Sequence, residues 1–357
     1  MSVQIRRDPA ATWTAADVTL AEGEMGCESD TGKIKVGDGS LSWTKMGYAA
    51  KTVWLFGGLT RGFMSGGGTE PSPAPRTRID SISFASDGNA TADWGDLTAV
   101  SNEDQYGFSS DTTGYASGTW GLYKFPFTSA NNIAAVPTGS DRYGTTGTYS
   151  KDAGYVYGGQ PSSLNNMSKM PFANETKGII PALVASGGSP AFLQQHSSVS
   201  SPEYGYIFGG SNAAADSINT IERWPFASDD AITDQGDLAA GTNNPSGTAS
   251  ETHGYALGGE RAPNSSSNTD GAMYKWAFAS TGNAADIGNL TLGRIRATGI
   301  SSRDNGYTGG GYRGASNNSA LLASFDKHSF ASDSNSTTVG SGIEGGTGKR
   351  GASGQQG

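Results

Sequence analysis

The stretch Gly205-Tyr206-Ile207-Phe208-Gly209-Gly210, followed by Trp224-Pro225-Phe226-Ala227-Ser228, carries the pattern from which the rest of the chain can be read. Its first half recurs as VWLFGG (Val53 to Gly58), GYVYGG (Gly154 to Gly159), GYALGG (Gly254 to Gly259) and GYTGG (Gly306 to Gly310), with a degenerate GYASGT from Gly114. Its second half recurs as SFAS from Ser83, FPFTS from Phe125, MPFAN from Met170, WAFAS from Trp276 and HSFAS from His328, six copies in all. A third element begins seven residues before the Gly of Gly-Tyr, at Gly107, Gly147, Ser198, Gly247 and Gly299. A fourth, Gly-Asp-Leu or a relative, follows the Phe-Ala-Ser turn at Gly95, Gly236 and Gly288. The unit is about fifty residues long and holds four short extended segments with turn residues between them, the size of a propeller blade. The expectation is an all-β protein: a six-bladed β-propeller over residues 51–357, carried on a small N-terminal β domain over residues 1–50.

The end of the chain predicts how such a ring closes. Val339-Gly340-Ser341 matches Ile287-Gly288-Asn289, and Gly351 then falls where Gly299 does. GASGQQG (Gly351 to Gly357) would supply the first strand of a blade whose second strand is VWLFGG near Val53. Sharing a blade between distant segments removes free edges.

Composition bounds the function. The net charge is −9 and the pI about 4.8, so the basic footprint that a phosphate backbone requires is missing and nucleic acid is not an expected partner. The 54 glycines are periodic, which separates this chain from disordered low-complexity sequence. A single cysteine, Cys27, allows no internal disulfide. No apolar run of about 18 residues is present, and the N-terminus MSVQIRRDPAATW lacks the apolar segment of a signal peptide. Membrane insertion and classical secretion are therefore not expected.

Residues 1–50 lie outside the repeat. Turn signals at Asp30-Thr31-Gly32 and Gly37-Asp38-Gly39 predict short strands near Glu24–Glu28, Lys33–Val36 and Trp43–Met46. Fifty residues without a disulfide bury little, which predicts oligomerisation or docking on a partner. Arg6-Arg7, Ala11-Thr12-Trp13-Thr14, Leu20-Ala21-Glu22-Gly23-Glu24 and Asp30 to Gly39 together resemble the N-terminal domain of bacteriophage tail-fibre proteins of the major tropism determinant type. The downstream repeat resembles kelch-like repeats of tailed-phage, especially cyanophage, structural proteins. The resemblance implies a virion protein assembled in the bacterial host cytoplasm, a homotrimer attached to other tail or baseplate proteins through its N-terminus.

In an up-and-down blade the loops joining strands 2 and 3 share a face with the loops that lead to the next blade. The 2–3 loops vary most: Leu59 to Arg78, Gln160 to Asn166, Ser211 to Asn219, Glu260 to Ala272 and Gly311 to Ser319. Loops on a rigid scaffold are where binding residues concentrate. The expected receptor contacts, to a host-surface glycan or protein, are Arg61, Phe63, Met64, Arg261, Asn264, Tyr312 and Arg313. Alternatives are a capsid or baseplate decoration protein with no receptor role and a polysaccharide-degrading tail enzyme. No catalytic residue is assigned, because glycoside hydrolysis needs two placed carboxylates and none forms a distinctive pair. Asp87-Gly88 reads as a structural Asx turn. His196, His253 and His328 fall in different repeats, and Asn268-Thr269-Asp270-Gly271 is only a fragment of a calcium loop. No metal and no cofactor are expected.

Overall fold

The computed structural model describes residues 6–30, 33–47, 58, 60–69, 74–91, 94–101, 105–118, 121–137, 146–158, 167–180, 195–211, 217–229, 231–261, 269–313 and 320–357. It is all-β apart from one α-helix and one 3-10 turn among these residues. Its contacts divide the chain into two compact units, Met1–Trp54 and Leu55–Gly357.

The first unit holds three strands and the helix. Arg6–Asp8 runs parallel to Met25–Glu28, which pairs antiparallel with Ile34–Val36. These two hairpin strands fall where the turn signals place them. The helix, Ala10–Ala16, corrects the expectation of a purely β domain. Its sequence AATWTAA is rich in the strongest helix former, and the carbonyl of Pro9 accepts the first-turn N–H of Trp13 at 3.1 Å. The strand expected at Trp43–Met46 is instead a turn closed on the Ser42 carbonyl. The turn sends Trp43 and Met46 inward, where Trp43 stacks on Trp13 with ring centroids 4.2 Å apart. Leu20 completes this core, and Gly26 lies flat against it because a Cβ there would stand 2.6 Å from the Trp43 ring.

The second unit is built around six four-stranded antiparallel motifs, one of which carries the short extra strand Gly68–Thr69. Five are consecutive in sequence, with second strands Thr113–Gly118, Ala153–Tyr157, Tyr204–Phe208, His253–Leu257 and Asn305–Gly309. In the remaining sheet the C-terminal strand Ser353–Gln356 pairs with Arg61–Ser65, which pairs with Ala74–Ser83, which pairs with Asp96–Ser101. We call this sheet one and number the others two to six along the chain. No sheet closes on itself among the described residues.

Two repeated motifs meet at every junction between sheets. The aromatic after the second-strand Gly packs on the Phe of Phe-Ala-Ser in the next sheet. The pairs are Phe63–Phe127 (5.3 Å), Tyr115–Phe172 (5.4 Å), Tyr155–Phe226 (5.0 Å), Tyr206–Phe278 (4.8 Å), Tyr255–Phe330 (5.0 Å) and Tyr307–Phe84 (5.1 Å). The last pair joins sheet six to sheet one, so the succession of contacts is cyclic. An acidic residue just after Phe-Ala-Ser adds a polar latch. Glu175 accepts from Tyr115 and Lys124 (3.0 and 2.6 Å), Asp229 from Tyr155 and Lys169 (3.3 and 2.6 Å), and Asp87 from Tyr307 and Lys327. Asp87 therefore does the structural work assigned to its turn, and does it across the junction between the two ends of the unit.

The first strand of each sheet faces its counterparts in the neighbouring sheets. Glycine at its second position permits this approach: a Cβ on Gly299 would sit 1.9 Å from the Gly247 carbonyl oxygen. Where Ser198 replaces glycine, its hydroxyl donates to the carbonyl of Gly147 at 2.9 Å. Exposed strand edges are covered the same way. The N–H groups of Gln356, Tyr149 and Ala249 donate to the hydroxyls of Ser109, Ser200 and Ser301 in the next sheet, at 3.1, 3.1 and 3.0 Å. Two fully buried ion pairs, Arg294–Asp326 (3.0 Å) and Lys349–Asp80 (2.7 Å), tie the connections before sheets six and one to the third strands of those sheets.

The closure expected near Val53 is corrected. Val53 itself lies outside the described residues, and the partner of the C-terminal strand is Arg61–Ser65, in the register Gly354↔Met64. The true sixth copy of the motif is Gly62-Phe63-Met64-Ser65-Gly66-Gly67, whose paired glycines have φ 68° and 95°, as Gly209 and Gly210 have 63° and 93°. The C-terminal register also shifts: Gly354, not Gly351, is the counterpart of Gly299, because the 3-10 turn Ile343–Gly346 lengthens the preceding connection. The crowding of first strands predicts that Gly299→Ala destabilises the protein by about 1–3 kcal/mol or more. Gly178→Ala, where a Cβ would meet nothing within 4 Å, should stay within about 0.5 kcal/mol. Urea unfolding of both variants checks the pair.

Candidate functional site

A cavity of about 130 Å³ is lined by residues from the starts of all six first strands and from the connections leading into them. The start of each first strand pairs with the end of the second, as in Ser197↔Phe208, Ser246↔Leu257 and Thr298↔Gly309. The cavity thus opens at the end where the 2–3 loops begin. At the opposite end Gly357 bonds Thr60 and Arg61, beside Gly58.

The rim is a backbone staircase. The N–H of Gln105 donates to the carbonyl of Gly351, Gly351 to Arg296, Arg296 to Asn244 and Asn244 to Gln195, at 3.1, 2.9, 3.2 and 2.8 Å. Gln195, Asn244, Arg296 and Gly351 are all left-handed, with φ of 59°, 50°, 52° and 60°. Side chains rarely adopt that conformation, and it clusters at binding sites where surrounding structure enforces it. Each stands three residues before the second residue of a first strand. That fixed offset is the signal by which the repeat itself could have pointed to them.

Most hydroxyls in the cavity are already engaged. Thr298 donates to the carbonyl of Ala352 (2.9 Å), Ser246 to that of Leu257 (3.2 Å), and Thr146 shares a hydrogen bond with Ser198 (2.5 Å). Among the described residues the lining holds no carboxylate, and its one cationic side chain is Arg296. His196 lies edge-on to Tyr157, and burial pulls its imidazole down to about 4, so it is neutral at pH 7.

The expected contact residues do not form one surface. Phe63 and Met64 are fully buried, which removes them as receptor contacts: Phe63 packs among Trp94, Phe125 and Phe127, and Met64 belongs to the core with Ile300 and Tyr307. They sit in a second strand, not in the loop to which the VWLFGG reading assigned them. Arg61 starts that strand, bonding Ser81 and lying over Trp94. Arg261 is half-buried, paired with Asp270 at 3.3 Å beside Tyr274. Tyr312 lies under Arg350, and Arg313 is exposed. Asn264 lies outside the described residues, as do residues 70–73, 159–166, 212–216, 262–268 and 314–319 of the 2–3 loops.

The other motifs resolve into structure. Asp270, in the calcium-loop fragment, caps the N–H of Ala272, and no group of three or more metal-binding side chains gathers among the described residues. His328 occupies the third-strand position held by Trp224 and Trp276, directly across from Gly306.

Residues 3–41 match the model of the Major tropism determinant N-terminal domain. The match supports a phage tail-fibre-like, virion-associated protein. Over 48 residues the chain is 46% identical to a hyaluronoglucosaminidase of Streptococcus pyogenes phage H4489A, covering 13% of each chain. It is 44% identical over 48 residues to that of phage H10403, covering 13% of this chain and 14% of that one. No helix among the described residues is long and apolar enough to cross a membrane.

Burial pulls His328, like His196, down to about 4 from the ordinary 6.5. The folded state then binds fewer protons than the unfolded chain between those values. Stability is full above pH 6.5 and falls as pH drops toward 4, by about 3 kcal/mol per histidine when complete. Melting temperatures at pH 7 and pH 5 should show this loss, and His328→Phe should roughly halve it.

Proposed function

We propose that the chain is a non-enzymatic tail-fibre adhesin whose second unit is a six-bladed, kelch-like β-propeller over residues 51–357. Supporting the propeller are the six four-stranded motifs, the cyclic aromatic contacts and the cavity lined by every first strand. The observation that carries the adhesin reading is the tropism-determinant match at residues 3–41, set on a chain whose second unit opens a polar cavity at the end of its second strands. Host-surface recognition falls to that end. Residues 1–50 attach to other tail or baseplate proteins and make the homotrimer. Met25, Val36 and Leu41 are three of the five large apolar side chains left exposed among the described residues, and Met25 and Val36 pair across one hairpin. Such a cluster on so small a unit fits an interface.

Immunogold labelling of intact particles should mark the tail, and the purified chain should block host adsorption; capsid labelling would overturn the reading in favour of a decoration protein. A reducing-end assay on host polysaccharide should detect no cleavage. In light scattering the wild-type chain should be trimeric, and Val36→Lys should shift it to monomer, with a lower melting temperature for any transition of the first unit.

A further inference from the structure

Sheets one and six anchor their third strands by the same construction with different chemistry. In sheet six Asp326, opposite Thr308, pairs with Arg294, whose guanidinium also donates to the carbonyls of Thr308 and Ser324. In sheet one Asp80, opposite Met64, pairs with Lys349, whose ammonium donates to the carbonyls of Met64 and Arg78 at 2.9 and 3.1 Å. The backbone N–H that caps the carboxylate comes from Thr291 in sheet six and from Glu344 in sheet one. A guanidinium and a threonine are therefore enough to anchor a strand in this way. Sheet one has an amine and a second carboxyl group in their places. Arginine stays protonated, whereas a buried lysine gives up its proton readily and becomes a nucleophile.

The surroundings fit these groups to react. Lys349 and Asp80 are wholly shielded from solvent, with Nζ 2.7 Å from Oδ2. Burial pulls the Lys349 ammonium below its ordinary range, against the charges of Asp80 and Glu344. Arg78 Nε stands 2.8 Å from Asp80 Oδ1, and the Glu344 N–H donates to that same oxygen at 3.3 Å. Negative charge gathers on this oxygen when the carboxyl carbon is attacked. Glu344 itself is held at φ 51°. One of its carboxylate oxygens stands 3.6 Å from Arg76, and the other is buried with no hydrogen-bond partner.

We infer that Lys349 and Asp80 condense to an intramolecular isopeptide bond, with Glu344 as the proton carrier. One proton passes from Nζ to Oδ2 within the pair, and the Nζ lone pair then attacks Cγ of Asp80. Glu344 takes a second proton from the nitrogen and delivers it to the Oδ2 hydroxyl, which leaves as water. Ammonium and carboxylate thus give one amide and one water, with no oxidant or cofactor. The reaction removes two charges from a dry interior and joins groups already held in contact. Lys349 lies just ahead of the strand Ser353–Gln356, and Asp80 lies in the third strand of the same sheet, so the bond fastens that strand to sheet one. A chain with one cysteine has no internal disulfide to do this. The bond is independent of the adhesin reading.

Mass spectrometry of the intact, denatured full chain tests this. The wild type should weigh one water less than its sequence requires, and peptide mapping should recover the segment around Asp80 joined to the segment around Lys349. Lys349→Arg restores the arrangement of sheet six and should show the full sequence mass. Glu344→Gln keeps the backbone donor and should slow bond formation by about a hundredfold, read as the uncondensed fraction of freshly purified protein. A wild-type chain of full sequence mass, fresh and after prolonged incubation at neutral pH, overturns the inference and needs no variant. A missing water that maps to a cyclised Asp-Gly pair such as Asp87-Gly88 overturns it as well, as does a Lys349→Arg chain that still lacks a water. A Glu344→Gln chain that condenses as fast as the wild type overturns the role given to Glu344.

Discussion

The pairing of one aromatic ring per second strand with the Phe of the next sheet recurs at all six junctions, and the rest of the second unit is arranged around it. A four-stranded sheet of such short strands has too little core to stand alone. Each sheet here buries its large rings against its neighbour, and the Tyr307–Phe84 pair gives the last sheet the same partner as the others. The polar latches follow the rings. Where the ring is Tyr and the third strand carries Lys, the following turn carries Asp or Glu, as at Glu175, Asp229 and Asp87. Where sheet one has Phe63 and Ser81 in those places, the turn in sheet two has Ala130. Ring, lysine and acid recur together at these junctions, whereas Tyr206, which faces Arg223 instead of a lysine, has Thr281 in the acid's place. A buried phenol with no acceptor, or an acid with no cation, would carry a desolvation cost without return.

The same packing explains why the candidate site lies where it does. Drawing six first strands together demands glycine or a self-satisfied serine at their second position. Among the described residues, four of the connections that feed those strands turn sharply through left-handed residues on a shared backbone staircase. The residues on these turns are among those that line the cavity. These connections lie apart from the aromatic contacts, so their side chains can change without disturbing the scaffold.

Reading the repeat from sequence found the sheets and the Phe-Ala-Ser turns, yet misplaced the second strand of sheet one. VWLFGG is the more hydrophobic candidate, and Gly62-Phe63-Met64-Ser65-Gly66-Gly67 looks like loop beside it. Strand identity is decided by what the ring can reach: Phe63 meets Phe127, and that contact fixes the register. The error moved Phe63 and Met64 from core to surface and made them appear to be receptor contacts. In the first unit the missed helix had a signal in its alanines, but Trp43 and Met46 lie in a turn because the stack on Trp13 overrides their strand preference.

By itself the sequence determined the periodic part: the all-β class, the number of repeats, the short strands, the turn chemistry and the tropism-determinant signature at the N-terminus. These are written in local spacing, and local spacing is what a chain displays without folding. Tertiary structure alone decided which aromatic pairs with which, where the C-terminal strand enters, and that Gln195, Asn244 and Arg296 share one cavity. Those three residues come from different repeats and meet only because the first strands are packed together. No periodic signal reports a distance between units, so the site became visible when the packing did.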